Sequence, residues 1–248
     1  MGKSSRQLIA IRPNNFMTKI IPERSIERLS VYRRVLLQLR DADAAVVFSH
    51  ELSKHAGVTA AQVRRDIMHL GCMGVPNSGY RTSELLDAIN TFLDAPESQR
   101  AVLIGVGHLG LALLNHFSGR WRWLHIHAAF DTDAGKQDTL IRGVRCYPLS
   151  EIGRIVREWR IDVGILTVPK DAAQNVADRL CAAGVRGLLN FASLRLQVPE
   201  GVYVENVDLT SSFEKVAFFA RQGSKALDSS LPCDQAEAVN SVEGTQSH

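Results

Sequence analysis

Three glycines, Gly105, Gly107 and Gly110, follow the apolar run Ala101-Val-Leu-Ile104, and an acid, Asp131, stands a further stretch downstream. These residue types at this spacing could hold a dinucleotide. The apolar run reads as a buried parallel strand, and Leu111-Ala-Leu-Leu114 opens the apolar face of a helix. Gly105 permits a tight turn, Gly107 lets a pyrophosphate approach the backbone, and Gly110 lets helix and strand pack closely. Val106, His108 and Leu109 complete the loop, and the helix N-terminus behind it offers free N–H groups and a partial positive charge to a diphosphate. A second strand, Leu124 to Phe130, ends in Asp131, about 20 residues after the last glycine, where a carboxylate accepts both hydroxyls of an adenosine ribose. Thr132 follows rather than Arg, so a 2′-phosphate meets a bare carboxylate and NAD(H) is favoured over NADP(H). The competing reading is a glycine turn that serves packing alone.

Two further segments close strands at their carboxyl ends: Thr167-Val168-Pro169 after Asp162–Val168, and Asn190-Phe191-Ala192 after Val185–Asn190. Such ends line the ligand crevice of a doubly wound sheet, although Pro and Asn also punctuate ordinary turns. Hydride transfer needs a substrate and usually a proton donor or acceptor beside the nicotinamide. The crevice segments offer Lys170 as their only ionisable neighbour. That describes a binding lining; His108 and His116 stay open as bases. His125 and His127 alternate on one strand face, but no Cys, Asp or Glu cluster completes a metal set around them, and they read as structural.

A different chemistry is written near the N-terminus. Ser49 can cap a short helix to Ala56, Gly57-Val58 is a turn, and Thr59 caps a second helix from Ala60 to Leu70. Val63, Ile67 and Leu70 face inward, leaving Gln62, Arg64, Arg65 and His69 on other faces. Helix, turn, and a second helix with polar and cationic residues early in it is the helix-turn-helix pattern. Arg64 then suits a DNA phosphate, Arg65 and Gln62 suit base edges, and Lys54 suits a phosphate or open solvent. Without that context the same arginines are a solvated helix face. Residues 1–95 carry thirteen Lys/Arg against nine Asp/Glu, an excess that permits an acidic partner without proving one.

The elements that must position these groups alternate in type along the chain. Ser25 to Leu39 repeats apolar residues at helical spacing, residues 71–80 are dense in turn formers and suit a hairpin wing, and Thr82 to Leu93 reads as a capped helix. Strand and helix then alternate: a helix from Ala172 to Ala183 stopped by Gly184, a strand Val202–Asn206, and a last helix from Ser211 to Ala220 bearing Phe213, Val216 and Phe219. The fold expected is α/β: an N-terminal winged helix-turn-helix domain, then a Rossmann-type doubly wound parallel sheet. We divide the 248 residues into a flexible arm (1–22), a winged-helix DNA-binding domain (23–95), a Rossmann NAD(H)-binding domain with a C-terminal dimerisation helix (99–221) and a disordered tail (222–248). Hydrophobic content of 45% and charged content of 22% are ordinary for a soluble globular protein. No apolar run approaches the roughly 20 residues of a membrane span, and Met1-Gly-Lys-Ser-Ser-Arg6 lacks the apolar segment of a secretory signal. Cys72, Cys146, Cys181 and Cys233 show no CxxC spacing, which fits a reducing cytoplasm and argues against zinc.

Taken in order, these motifs resemble the Rex family of redox-sensing transcriptional repressors. The match spans roughly residues 24–221. It is carried by Gln62-Val-Arg-Arg-Asp66, Gly71-x-x-Gly74, Gly79-Tyr80, Gly105-x-Gly-x-Leu-Gly110, Phe130-Asp-x-Asp133, Thr167-Val-Pro169, Leu189-Asn-Phe-Ala192, Val198-Pro199 and Glu205-Asn-Val-Asp-Leu209. The resemblance implies a homodimer that is not an enzyme. It implies an operator-binding winged helix, a C-terminal helix exchanged between subunits, and NADH and NAD⁺ as effectors, NADH releasing DNA that NAD⁺ leaves bound. It also implies a coupling role for Arg34 and Asp208. The chain departs from the family at Pro76-Asn77 in the wing, at Ser193, at Asp138, and at His116, where a tyrosine is usual. The reading from another class is an NAD-dependent oxidoreductase with an accessory helical domain.

Overall fold

A computed structural model describes residues 22–72, 78–94, 99–117 and 124–228. Residues 1–21 of the expected arm, the whole of 95–98 in the linker, Pro76-Asn77 of the wing and the chain beyond 228 lie outside the described residues.

Four helices make the first unit: α1 (Glu23–Asp41), α2 (Ser49–Ala56), α3 (Ala60–His69) and α4 (Thr82–Leu93). Their apolar faces meet in one cluster that includes Leu29, Tyr32 and Leu36 of α1, Leu52 of α2, Val63 and Ile67 of α3, and Leu85 and Ile89 of α4. Each fully buried Leu or Ile there contributes about 1.5–3 kcal/mol, enough to hold short helices that would not persist alone. Gly57 ends α2 in the left-handed conformation, and Thr59 Oγ1 accepts the Gln62 N–H at 3.2 Å to start α3. The α2 start differs from the expected one. Phe48 is the cap residue and Ser49 is already helical, because Glu51 reaches back to accept the Phe48 N–H at 2.7 Å. Residues 73–77 of the expected wing lie outside the described residues. Beside α4, strand β2 (Tyr80–Arg81) pairs antiparallel with β1 (Val46–Val47), which precedes α2, so its described partner is distant in sequence.

The second unit is a seven-stranded sheet of β3 (Gln99–Ile104), β4 (Leu124–Asp131), β5 (Leu140–Ile141), β6 (Val144–Pro148), β7 (Val163–Leu166), β8 (Gly187–Asn190) and β9 (Tyr203–Asn206), in the order β5-β6-β4-β3-β7-β8-β9. All neighbours are parallel except β5 on β6. Successive residues of β3 alternate between faces. Val102 and Ile104 pack with α6 (Ile152–Glu158) and α7 (Lys170–Ala183), while Ala101 and Leu103 pack with Leu114 of α5 (His108–Phe117). Helices on both faces make the sheet doubly wound, and the chain order reverses between β3 and β7, which places a crevice at their carboxyl ends.

The last helix, α8, runs Leu209–Asp228, so residues 222–228 are helical rather than part of a disordered tail. Gln222, Lys225, Ala226 and Leu227 are good helix formers, and the weaker Gly223, Ser224 and Asp228 do not outweigh them. Leu209, Phe213, Val216 and Phe219 form an exposed apolar stripe along α8, with Phe213 74% exposed.

Candidate functional site

The crevice is real and measures about 460 Å³. Gly105 follows β3 and Thr167 follows β7, and Thr167 Oγ1 lies 2.6 Å from the Gly105 carbonyl oxygen, fixing the two strand ends together. The three glycines divide their work. At Gly110 an added Cβ would sit 2.1 Å from the Gly105 carbonyl oxygen, and at Gly105 (φ +92°) it would sit 2.7 Å from that of Thr167. At Gly107 it would meet nothing within 4 Å. Gly105 and Gly110 are therefore required by the chain itself, whereas the bare edge at Gly107 leaves room for something else.

Asp131 closes the far end. It is 9% exposed; its Oδ2 accepts the Val106 N–H at 2.7 Å and its Oδ1 the Asp133 N–H at 2.9 Å. Burial pushes its carboxyl pKa up, but the two backbone N–H groups and the Lys136 ammonium outweigh this and hold it below the ordinary carboxylate value. An ionised carboxylate has about four acceptor positions, and the two backbone N–H groups and Lys136 Nζ take three, so one is left for a ribose hydroxyl unless Lys136 gives way. Lys136 is the site residue that sequence reasoning missed. Its Nζ stands 3.3 Å from Asp131 Oδ2, so the carboxylate is not bare as expected but already paired. Five residues beyond the acid in a polar loop, this lysine carries no signal that separates it from a surface one.

Among the expected cofactor residues, Gly105, Gly107, Leu109, Asp131, Thr167, Val168, Pro169 and Phe191 line the cleft, together with Thr132 and Lys136. Five others do not line it. Val106 and Gly110 are buried beneath the loop, and His108 is exposed at the start of α5. Asn190 is fully buried. Its amide nitrogen donates to the carbonyl of Leu194 at 2.8 Å and to Asn206 Oδ1 at 2.9 Å, while its oxygen accepts the Ala192 N–H at 3.0 Å. Asn190 thus ties down the loop that presents Phe191, and Ala192 packs against the core behind it. Lys170, the expected ionisable neighbour, is also absent from the lining, where Asp131 and Lys136 are the charged groups.

On the first unit, Lys54, Thr59, Arg64, Arg65 and His69 are exposed and Gln62 is half-buried. Arg64 Nη1 donates to Ser49 Oγ at 3.1 Å, bracing α3 on the start of α2. The proposed coupling residues are not joined within the chain. Arg34 is exposed on α1, and Asp208 is the cap of α8, its Oδ1 accepting the Ser211 N–H at 2.9 Å. His116 is exposed near the end of α5, its ring edge-on to Phe117. The two units instead touch at Tyr203 of β9, whose hydroxyl lies against Glu205 Oε2 at 2.6 Å and against Glu23 Oε1 of α1.

A compact helix-turn-helix unit carried by a doubly wound sheet with a glycine-loop cleft defines a class of two-domain nucleotide-responsive DNA-binding proteins. Comparison with known proteins agrees. Residues 20–67 match the family model described as "Putative DNA-binding protein N-terminus", and residues 96–194 match the "CoA binding domain". The chain is 40% identical over 199 residues to the redox-sensing transcriptional repressor Rex of Leuconostoc citreum, covering 80% of this chain and 92% of that one. It is 38% identical over 205 residues to Rex of Syntrophobacter fumaroxidans, covering 82% and 98%. The crystal structure of RSP in complex with β-NAD⁺ and operator DNA matches with TM-score 0.77 and 32% identity over 86% of this chain and 100% of that one. RSP with β-NADH matches with TM-score 0.74 and 32% identity over 85% and 99%. The chain belongs to the Rex family of redox-sensing transcriptional repressors.

Proposed function

We propose that this chain represses transcription by binding operator DNA as a homodimer through α3, and that NADH entering the glycine-loop cleft releases it. The observation that carries this is the cleft's own lining: a paired acid at the ribose end, an open glycine edge, and Thr167, Val168, Pro169 and Phe191 at the other end. No acid–base group stands among those last four, which suits an effector that is read rather than turned over, and so a regulator rather than a dehydrogenase. NAD(H) fits better than coenzyme A, because Lys136 already stands between two carboxylates, Asp131 and Asp133, so the ribose end is net negative and suits free hydroxyls rather than coenzyme A's 3′-phosphate. The dimer follows from the apolar stripe of α8, which needs cover and which a second copy, exchanging the same helix, would supply. Among the described residues no helix is long and apolar enough to cross a membrane. A cytoplasmic site of action is part of the same proposal.

The test is a duplex selected from a random pool by the protein, titrated at one fixed salt concentration with NADH and, separately, NAD⁺. NADH should weaken binding and NAD⁺ should not. Equal effects of the two nucleotides, or turnover of common dehydrogenase substrates, would overturn the reading.

Coupling between the sites gives a further expected result. Asp208→Ala would remove both a charge and the α8 cap, the latter worth about 1 kcal/mol. Asp208→Asn keeps the cap and removes only the charge. If Asp208 pairs with Arg34 in one of the two states of the dimer, Asp208→Asn should keep NADH affinity and shrink the NADH-driven loss of operator affinity by about 5-fold or more. An unaltered NADH response in this variant removes Asp208 from the coupling.

A further inference from the structure

The recognition helix contains a buried charge that the functional reading leaves unused. Asp66 is 1% exposed and stands on the inward face of α3 between Val63 and Ile67. It accepts from Arg28 Nε at 2.6 Å, Arg28 Nη2 at 2.7 Å and the Tyr32 hydroxyl at 3.0 Å, all from α1. Its fourth strong partner lies one turn earlier on its own helix, where Gln62 Nε2 donates at 3.0 Å. Burial raises the Asp66 pKa, but hydrogen bonds from Arg28, Gln62 and Tyr32 outweigh it and keep the group ionised. An ionised carboxylate only accepts, so it dictates which way the Gln62 amide faces. The amide nitrogen turns inward to Asp66 and the oxygen turns outward, where it accepts from Arg65 Nη1 at 3.3 Å.

This geometry bears on what α3 can read. A glutamine recognises adenine by presenting amide oxygen and nitrogen together to one base edge. Here the two ends of the amide point to different protein partners. Arg65, by contrast, spends one of its five donors on Gln62 and is exposed, with the rest of its fork available for the O6 and N7 of a guanine. We infer that Asp66 and Gln62 are positioning residues, a relay from the helix interior that fixes the Arg65 guanidinium for one guanine, and that Gln62 reads no base itself. Holding the fork in place beforehand lowers the ordering cost of binding. The inference rests on α3 being the recognition helix, as proposed above.

The experiment is a base-preference profile. Full-length Arg65→Ala, Gln62→Met, Gln62→Ala and the Gln62→Met/Arg65→Ala double variant are titrated against the selected duplex and against single-base-pair changes of it at fixed salt. Thermal unfolding confirms that each is folded. Arg65→Ala should lose about 5- to 150-fold of preference at one guanine, the range for a bidentate arginine contact. Both Gln62 variants should lower preference at that same base pair and no other, and the double variant should be no worse than Arg65→Ala alone. Loss at a different base pair, additivity with Arg65→Ala, a uniform loss on every duplex, or no change in the Gln62 variants overturns the relay while leaving α3 as the reader. An unchanged profile in Arg65→Ala overturns the relay too, and with it the place of Arg65 in the interface.

Discussion

Gly107→Val should leave a folded protein that binds operator and no longer answers to NADH. A Cβ at this position meets nothing in the chain within 4 Å, and the backbone there is not in the left-handed region, so a β-branched residue fits. Gly107 precedes the first residue of α5 and its carbonyl accepts the Leu111 N–H at 2.9 Å, so the cost is that of a poorer cap, about 1 kcal/mol or less. The same Cβ and its methyls occupy the edge that a diphosphate must approach to reach the N–H groups at the head of α5. Each charge-assisted hydrogen bond lost there is worth about 1.5–3 kcal/mol. Two of them amount to at least a hundredfold in NADH affinity, which calorimetry would register as near-complete loss of binding. Gly110→Ala is the contrast. Its methyl would lie 2.1 Å from the Gly105 carbonyl oxygen, so β3 and α5 must part and thermal unfolding should fall sharply. Wild-type NADH affinity in Gly107→Val would remove the cleft as the nucleotide site.

That difference between neighbouring glycines shows how far the sequence could be read. The spacing from Gly105 to Gly110 and the acid at Asp131 were visible because the nucleotide imposes them along one strand–turn–helix–strand stretch. What the chain does to those residues from a distance was not. Lys136 against Asp131 depends on how a polar loop folds back, and Asn190 against Asn206 depends on the neighbouring strand of the sheet. Sequence order places Asn190 at a strand's carboxyl end, where lining the cleft and holding its loop look alike. The pairing of Val46–Val47 with Tyr80–Arg81 joins segments separated by two helices, beyond the reach of local turn chemistry. The β5–β6 hairpin did carry a local signal, a two-residue Arg142-Gly143 loop between Ile141 and Val144 with both residues at positive φ, but such short strands are easily passed over. The pattern of α3 predicted its apolar face correctly through Val63 and Ile67. It also held a charged residue on that face, Asp66, and a lone charge on an apolar face asks for a buried partner.

Removing that charge should damage the first unit about as much as truncating one of its fully buried core side chains. Asp66→Ala leaves Arg28, whose side chain is 17% exposed, and the buried Tyr32 hydroxyl without their shared acceptor. Breaking a buried pair from one side costs about 3–5 kcal/mol, and the partial exposure of Arg28 puts this case toward the lower end. A small domain holds about 5–15 kcal/mol in all, so the loss is a large share of what keeps four short helices together. The sheet has its own two clusters on either face and does not draw on Asp66. Asp66→Ala should therefore lose operator binding and show an early thermal transition while still binding NADH. Loss of both activities together would mean that the two units fold as one. The pH dependence has a definite sign. Because the folded-state pKa of Asp66 lies below its unfolded value, the stability it contributes is complete above about pH 4 and fades as pH falls through the lower folded value. Wild-type protein should therefore lose stability in that acid window by an amount that Asp66→Ala no longer has to lose. Asp66→Asn, isosteric and still able to accept through one oxygen, should fall between the two. If acid and heat unfold Asp66→Ala as they do the wild type, Asp66 is not what holds α3 on α1.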